Sequence, residues 1–223
     1  MERIWRIITE SFPLLLEFGI KFTIPITIAS FAVAFLLSVF VALAQYAKTP
    51  VLRQLCRVYI WVIRGTPLLV QLFLVYYGLP KLGIITEKYS TAILVLGINE
   101  GAYMAESLRG ALEAVPRGQL EAGLCVSMTY PKIMWHVVLP QAFRTVFPAF
   151  SNSFIAMLKE TSLIKSITII EMFRQAEIIA AREYEPLVLY TEVALIYLAF
   201  CSVLTLLQRR LEKRLDHYGG GVK

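Results

Sequence analysis

The chain has 223 residues, 57% of them apolar and 17% charged, with a mean hydropathy of +0.65 and a formal net charge of +6. A water-soluble domain of this length cannot hide that much apolar surface, so the composition excludes one. The basic surplus does not indicate nucleic acid, because the Lys and Arg residues stand between apolar blocks instead of along one soluble face with interleaved aromatics.

From the N-terminus, residues 1–19 mix Glu2, Arg3, Arg6, Glu10 and Glu17 with Ile4, Trp5, Ile7, Ile8, Phe12 and Leu15. The charges break up any signal-peptide core and predict an amphipathic helix lying at a membrane interface. Phe22 to Ala47 then runs uncharged for about 26 residues, longer than the roughly 20 that a spanning helix needs. This places the chain in a bilayer. Five spans are expected within a single domain covering 1–223, with the five-span core at 20–210: about 20–46; 58–80, ending at Gly78-Leu79-Pro80; 89–110, carrying Glu100 and Glu106; 135–158, interrupted by Pro140 and Pro148; and 187–208. The last four have shorter uncharged stretches than the first, so burial in the bundle must shelter their polar residues.

Loop charge sets the orientation. The connection after the first span holds Lys48, Arg53, Arg57 and Arg64 without an acid, and the tail holds Arg209, Arg210, Lys213 and Arg214 against Glu212 and Asp216. Both read as cytoplasmic, and the mixed-charge segment between spans four and five as external. An outside N-terminus and a cytoplasmic C-terminus agree with five spans. Cys56, Cys125 and Cys201 are widely spaced, and His136 and His217 have no neighbouring ligand types, so neither a disulfide framework nor a metal site is expected.

The connection between spans three and four is then internal and about 25 residues long, longer than most connections in compact domains. Pro116 suits the first turn of a helix and Pro131 cannot continue one. The short helix between them has an apolar i, i+4 pair, Leu120 and Leu124, and a small pair, Gly123 and Ser127. Such a helix can insert into a groove on a partner, or it can pack on its own bundle; spacing leaves both open.

Glu121-Ala122-Gly123, Ser127 and Val137-x-Leu139-Pro140 resemble the EAA loop of ABC importer permeases: Glu-Ala-Ala, three residues, Gly, nine residues, Ile-x-Leu-Pro. Gly123, Ser127 and Val137 depart from that pattern. Ser127 makes a left-handed turn costly where a Gly would permit one, a difficulty that a right-handed conformation would remove. Four further stretches are similar to the polar amino acid branch of that family: Arg64-Gly65-Thr66-Pro67-Leu68-Leu69-Val70-Gln71; Gly101-Ala102-Tyr103-Met104-Ala105-Glu106 with Arg109-Gly110; Val115 to Gln119; and Leu158 to Leu163.

The resemblance implies an all-α type I ABC importer transmembrane domain in the bacterial plasma (inner) membrane, with 116–130 as the cytoplasmic coupling loop. It implies a homodimer or a sister permease, two separate ATPase subunits, and a solute-binding protein that delivers a polar amino acid from outside. Glu121, Ala122, Gly123, Ser127, Leu139 and Pro140 would couple the chain to the ATPase. No catalytic residue and no cofactor are expected on this chain, which has no GxxxxGK[ST] phosphate loop; ATP and Mg would sit on the partner. The tail from Phe173 to Glu212 looks most like permeases for cystine and related polar amino acids.

Ionised groups inside a membrane cost about 2.5–3.5 kcal/mol each on insertion scales and need a reason. Asn99, Tyr103, Glu106 and Gly110 form one polar stripe on span three, with Glu100 beside it and a neighbouring small-residue stripe of Gly97, Gly101 and Ala105. With Ser151 and Asn152 from span four, Asn99, Glu100, Tyr103 and Glu106 are the expected substrate pathway, and Lys159 and Glu160 an outer gate or binding-protein contact. A structural role competes at two positions: Glu106 can pair with Arg109, and Arg64 can anchor the inner face. Two other classes compete with the permease. A membrane enzyme using Glu100 and Glu106 lacks a nucleophile or metal motif, and a channel or scaffold leaves the cytoplasmic helix unexplained.

Overall fold

The computed structural model describes residues 2–46 and 49–217, with side chains through 215; Met1, Ala47, Lys48 and residues 218–223 lie outside the described residues. Lys48, counted above in the basic loop, is one of these. Helices account for nearly all of the described residues, and no strand is present among them.

Helix α1 (Glu2–Phe18) does not stop where the first span was expected to begin. It passes through a π-helical turn at Gly19–Thr23 into α2 (Ile24–Tyr46), giving one continuous helix of 45 residues. The inward stripe of α2 is made of small residues one turn apart: Ser30, Ala34, Ser38 and Ala42. It meets a matching stripe on α5 (Lys88–Ala114). A Cβ built on Gly97 would stand 2.6 Å from Cγ1 of Val33, and one on Gly101 would stand 3.2 Å from Cδ2 of Leu37. The two backbones therefore approach more closely than side chains at those positions would permit, the arrangement expected of small residues between membrane helices. Glu87 caps α5 by accepting from Ser90 N at 2.8 Å, and the N–H groups of Tyr89 and Ser90 hold its carboxyl below the usual range.

The second span is not continuous. It consists of α3 (Pro50–Arg64) and α4 (Leu68–Phe73), the latter followed by single-turn helical pieces to Leu82, and the two arms meet at 103°. Pro67 supplies the reason: it lacks an N–H and biases Thr66 away from the helical region, so the ladder cannot cross.

Short helices α6 (Arg117–Cys125) and α7 (Tyr130–Ile133) occupy the connection to span four. Neither Pro140 nor Pro148 interrupts that span. A π-helical turn at Met134–Val138 delivers the chain into α8 (Leu139–Glu160) with Pro140 in its first turn, where no N–H is needed, and α8 continues through Pro148. The segment between spans four and five is also helical: a 3₁₀ stretch at Thr161–Ile167, then α9 (Met172–Glu183). Glu171 caps α9 through Phe173 N and Arg174 N, each at 2.8 Å, and accepts from the Tyr197 hydroxyl at 3.3 Å. Burial pushes its carboxyl above the ordinary range. Helix α10 (Pro186–His217) buries Leu189, Val193 and Ile196 against α1 and α9.

By length and apolarity alone, Glu2–Tyr46 and Pro186–Leu215 each suffice to cross a membrane, and the bent pair α3–α4 counts as a third if its arms form one span. At 27 and 22 residues, α5 and α8 reach roughly 30 Å or more, but their polar residues deny them a purely apolar run. They lie against α2, and α8 also against α10, where a core including Ala34, Met104, Leu108, Val146 and Phe150 surrounds them.

Candidate substrate groove and coupling helix

The break between α3 and α4 is held by one side chain. Gln71 Nε2 donates back to the Ile63 carbonyl at 2.9 Å and lies 2.8 Å from Thr66 Oγ1, while its Oε1 accepts from Asn99 Nδ2 at 3.0 Å. In a continuous helix the Ile63 carbonyl would accept from residue 67, and Pro67 has no N–H to give. Gln71 supplies that donor, which gives the Arg64-to-Gln71 stretch its physical content: Thr66-Pro67 breaks the helix and Gln71 ties the broken end to α5.

Behind the break opens a groove of about 630 Å³. Thr66 and Pro67 form one wall, Asn99, Glu100 and Tyr103 of α5 the second, and Asn152, Ser153 and Glu160 of α8 the third. Glu100 is only 7% exposed; the Ser153 hydroxyl hydrogen-bonds its carboxylate, and Glu160 is near enough to interact with it electrostatically. Two carboxylates flanked by amides and hydroxyls at the foot of an open groove suit a ligand carrying ammonium groups. Asn99 contributes mainly as a brace, its amide donor being committed to Gln71.

Three of the residues expected in the pathway or at its gate lie elsewhere. Glu106 forms a forked ion pair with Arg109, at 2.5 and 3.2 Å, and lines a separate cavity less than one turn beyond Tyr103 on α5. The intrahelical pairing weighed against a ligand role is thus the arrangement present. Ser151 faces an aromatic pocket of about 360 Å³ among Phe31, Phe35, Phe143 and Phe154, and Lys159 is exposed outside the groove. Conversely, Ser153 and Thr66 belong to the groove but were not singled out. On α8 the groove residues Ala149, Asn152, Ser153, Ala156 and Glu160 follow i, i+3, i+4, i+7, i+11, so helical spacing alone could have found Ser153.

At the opposite end of α5, α6 closes in a Schellman motif: Met128 N donates to the Gly123 carbonyl at 3.0 Å and Ser127 N to that of Leu124 at 2.9 Å. Ser127 has φ 59°, so the left-handed turn is made without a glycine, and the right-handed alternative does not occur. Gly123 is turned inward, where a Cβ would stand 2.7 Å from Cγ1 of Ile133. Glu121, Ala122, Leu124 and Val126 face outward, and Leu124 and Val126 are apolar and exposed. Leu139 is buried in the bundle core, while Pro140 is exposed.

Residues 34–217 match the family described as the inner membrane component of binding-protein-dependent transport systems. The chain belongs to that family. The permease is 43% identical over 96% of its length, and 92% of the other, to the L-cystine transport system permease protein TcyB of Bacillus subtilis. It is 33% identical over 95% of its length, and 97% of the other, to the glutamine transport system permease protein GlnP of Escherichia coli. Among solved structures, a chain of an amino acid ABC transporter crystallised with histidines superposes with a TM-score of 0.86 at 34% identity, covering 93% of the permease and 96% of that chain. An inward-facing MetNI methionine transporter matches at 0.78 with 18% identity, which speaks for the fold alone.

The permease thus keeps the left-handed turn at Ser127 at a cost. For a residue with a Cβ, that conformation costs about 1–2 kcal/mol, which glycine largely avoids. Ser127→Gly should therefore steady the end of α6. Amide hydrogen exchange at Val126–Thr129 is expected to slow by about fivefold or more, and unchanged or faster exchange would show that the turn carries no strain.

Proposed function

We propose that this chain is the permease of an ABC importer for polar amino acids, with the groove between the α3–α4 break, α5 and α8 as its substrate site. The observation that carries the reading is the buried Glu100 carboxylate at the foot of a groove large enough for an amino acid, with Glu160 nearby. The likeness to permeases named for L-cystine and glutamine supports a zwitterionic or cationic substrate over an acidic one.

In this reading a solute-binding protein delivers the amino acid at the outer face. Two such permease chains, identical or sister, line the path, and two ATPase subunits hold ATP and Mg. The N-terminus lies outside and the C-terminus in the cytoplasm of a bacterial inner membrane. Exposed Glu121, Ala122 and Leu124 of α6 meet the ATPase, and Gly123 serves from within by letting α6 lie on Ile133. ATP binding moves α6, and through it α5 and α8, as near-rigid bodies that alternate access to the groove.

The test is reconstitution of the permease with its ATPase and binding protein, and measurement of ATP hydrolysis against a panel of amino acids. Cystine or another zwitterionic or cationic amino acid is expected to stimulate hydrolysis several-fold and glutamate not to do so. Stimulation by none, or by acidic amino acids alone, would overturn the assignment.

A further inference from the structure

The second cavity, of about 380 Å³, lies between α2, α3 and α5 and is lined by four arginines against two glutamates. Both glutamates are already engaged: Arg109 pairs with Glu106 at 2.5 Å and with Glu113 at 2.7 Å. Arg53, Arg57 and Arg64 follow i, i+4, i+11 on α3 and so face the cavity as one stripe. Arg64 lies over the Tyr103 ring at 5.2 Å, whereas Arg53 and Arg57 have no partner among the described residues. Gln45 of α2 also lines the cavity; it is 7% exposed, and its Nε2 is without a hydrogen-bond partner.

Among the described residues, the cavity thus holds two arginines and a buried amide donor that no hydrogen bond or ion pair engages. A buried amide donor left unpaired is costly, and anionic oxygens would satisfy it together with the neighbouring guanidinium groups. The outer face of α3 favours one supplier of those oxygens. Val51, Leu55, Val58 and Val62 are exposed there, and Trp61, 76% exposed, stands at the cavity rim. An acyl chain can lie along that apolar face while its headgroup reaches inward.

We propose that this cavity binds the phosphate of an anionic phospholipid headgroup, held by Arg53, Arg57 and the Gln45 amide, with acyl chains on the outer face of α3. Basic pockets between membrane helices are suited to this class of ligand. The site is separate from the substrate groove, and it depends on the proposed orientation only for the leaflet it serves.

Native mass spectrometry of the detergent-purified full chain tests the assignment, with phosphatidylglycerol, phosphatidylcholine and inorganic phosphate offered as separate probes. Wild-type protein is expected to retain phosphatidylglycerol and not phosphatidylcholine. The double variant Arg53→Gln, Arg57→Gln should lose about thirtyfold in retention, the effect of two charges at a membrane surface. The control Arg209→Gln, Arg210→Gln, which removes the same charge from the C-terminal part of α10, should lose little. Gln45→Met removes the amide without changing charge and should also weaken retention, which keeps the test open if the double variant does not insert. Equal loss in the control, or unchanged retention in both cavity variants, would overturn the site. Occupation by inorganic phosphate that displaces the lipid would overturn the lipid as its occupant.

Discussion

Glu100→Gln is expected to reduce amino acid uptake into reconstituted vesicles by about two orders of magnitude, while the protein still inserts and still binds its ATPase. The substitution keeps the shape and a hydrogen-bonding partner for Ser153, so the packing of α5 on α8 has no reason to change. It does remove the charge that would pair with a substrate ammonium group. Truncating one partner of a buried charge pair costs about 2–5 kcal/mol, and each 1.4 kcal/mol is a factor of ten. Glu160→Gln should cost less, because Glu160 sits in the 3₁₀ junction at the end of α8 and is less buried. Glu106→Gln should act differently again, leaving Arg109 with only its Glu113 ion pair while the groove-lining residues stay as they are. Full uptake of every substrate by Glu100→Gln would remove Glu100 from the proposed site.

Ala122→Trp is expected to bring substrate-stimulated ATP hydrolysis down to the basal rate in a protein that inserts normally. Ala122 lies on the outward side of α6, next to Glu121 and near exposed Leu124. An indole there would hold a partner surface several ångströms away without disturbing the contact of Gly123 with Ile133. The same change at Gly123 would not separate docking from folding, because any side chain at that position strikes Ile133 and shifts α6 itself. Stimulation unchanged in Ala122→Trp would exclude this face of α6 as the coupling surface.

Much of this architecture could be read from residue spacing, and the differences have separate physical causes. Small residues at Gly97, Gly101 and Ala105 foretold a close helix contact, and the structure places α2 there. The polar stripe on α5 was also legible, but a stripe specifies a direction around the helix and not a depth along it. Asn99 and Tyr103 reach the groove; Glu106, about 10 Å beyond Asn99 and about 4.5 Å beyond Tyr103 at 1.5 Å per residue, reaches the arginine cavity. Ser151 differs in direction around the helix, since one residue from Asn152 turns a side chain by roughly 100° and places it at the aromatic pocket. The break at Thr66-Pro67 was written in the sequence as a breaker signal, yet the apolar run through it read as one span. Pro140 and Pro148 misled in the opposite sense, because a π-helical turn and the surrounding bundle absorb them. Ser127 could not have been resolved from the chain alone: whether a serine tolerates a positive φ depends on the two hydrogen bonds that close α6.

The continuous helix Glu2–Tyr46 has a mechanical consequence. Forty-five residues at 1.5 Å each make a rod of about 67 Å, while the hydrocarbon core is about 30 Å thick. Even tilted by about 40°, such a rod stands well clear of the core on at least one side. Its α1 arm is fastened to α9 and α10, and its α2 arm to α5 and α8. The rod therefore joins the α9–α10 pair to the α5–α8 pair, with the π-helical turn at Gly19–Thr23 between its two arms. The two arms are about 25 and 35 Å long. Neither group of helices can tilt far without straining or carrying along the other, because one unbroken backbone ladder runs through both.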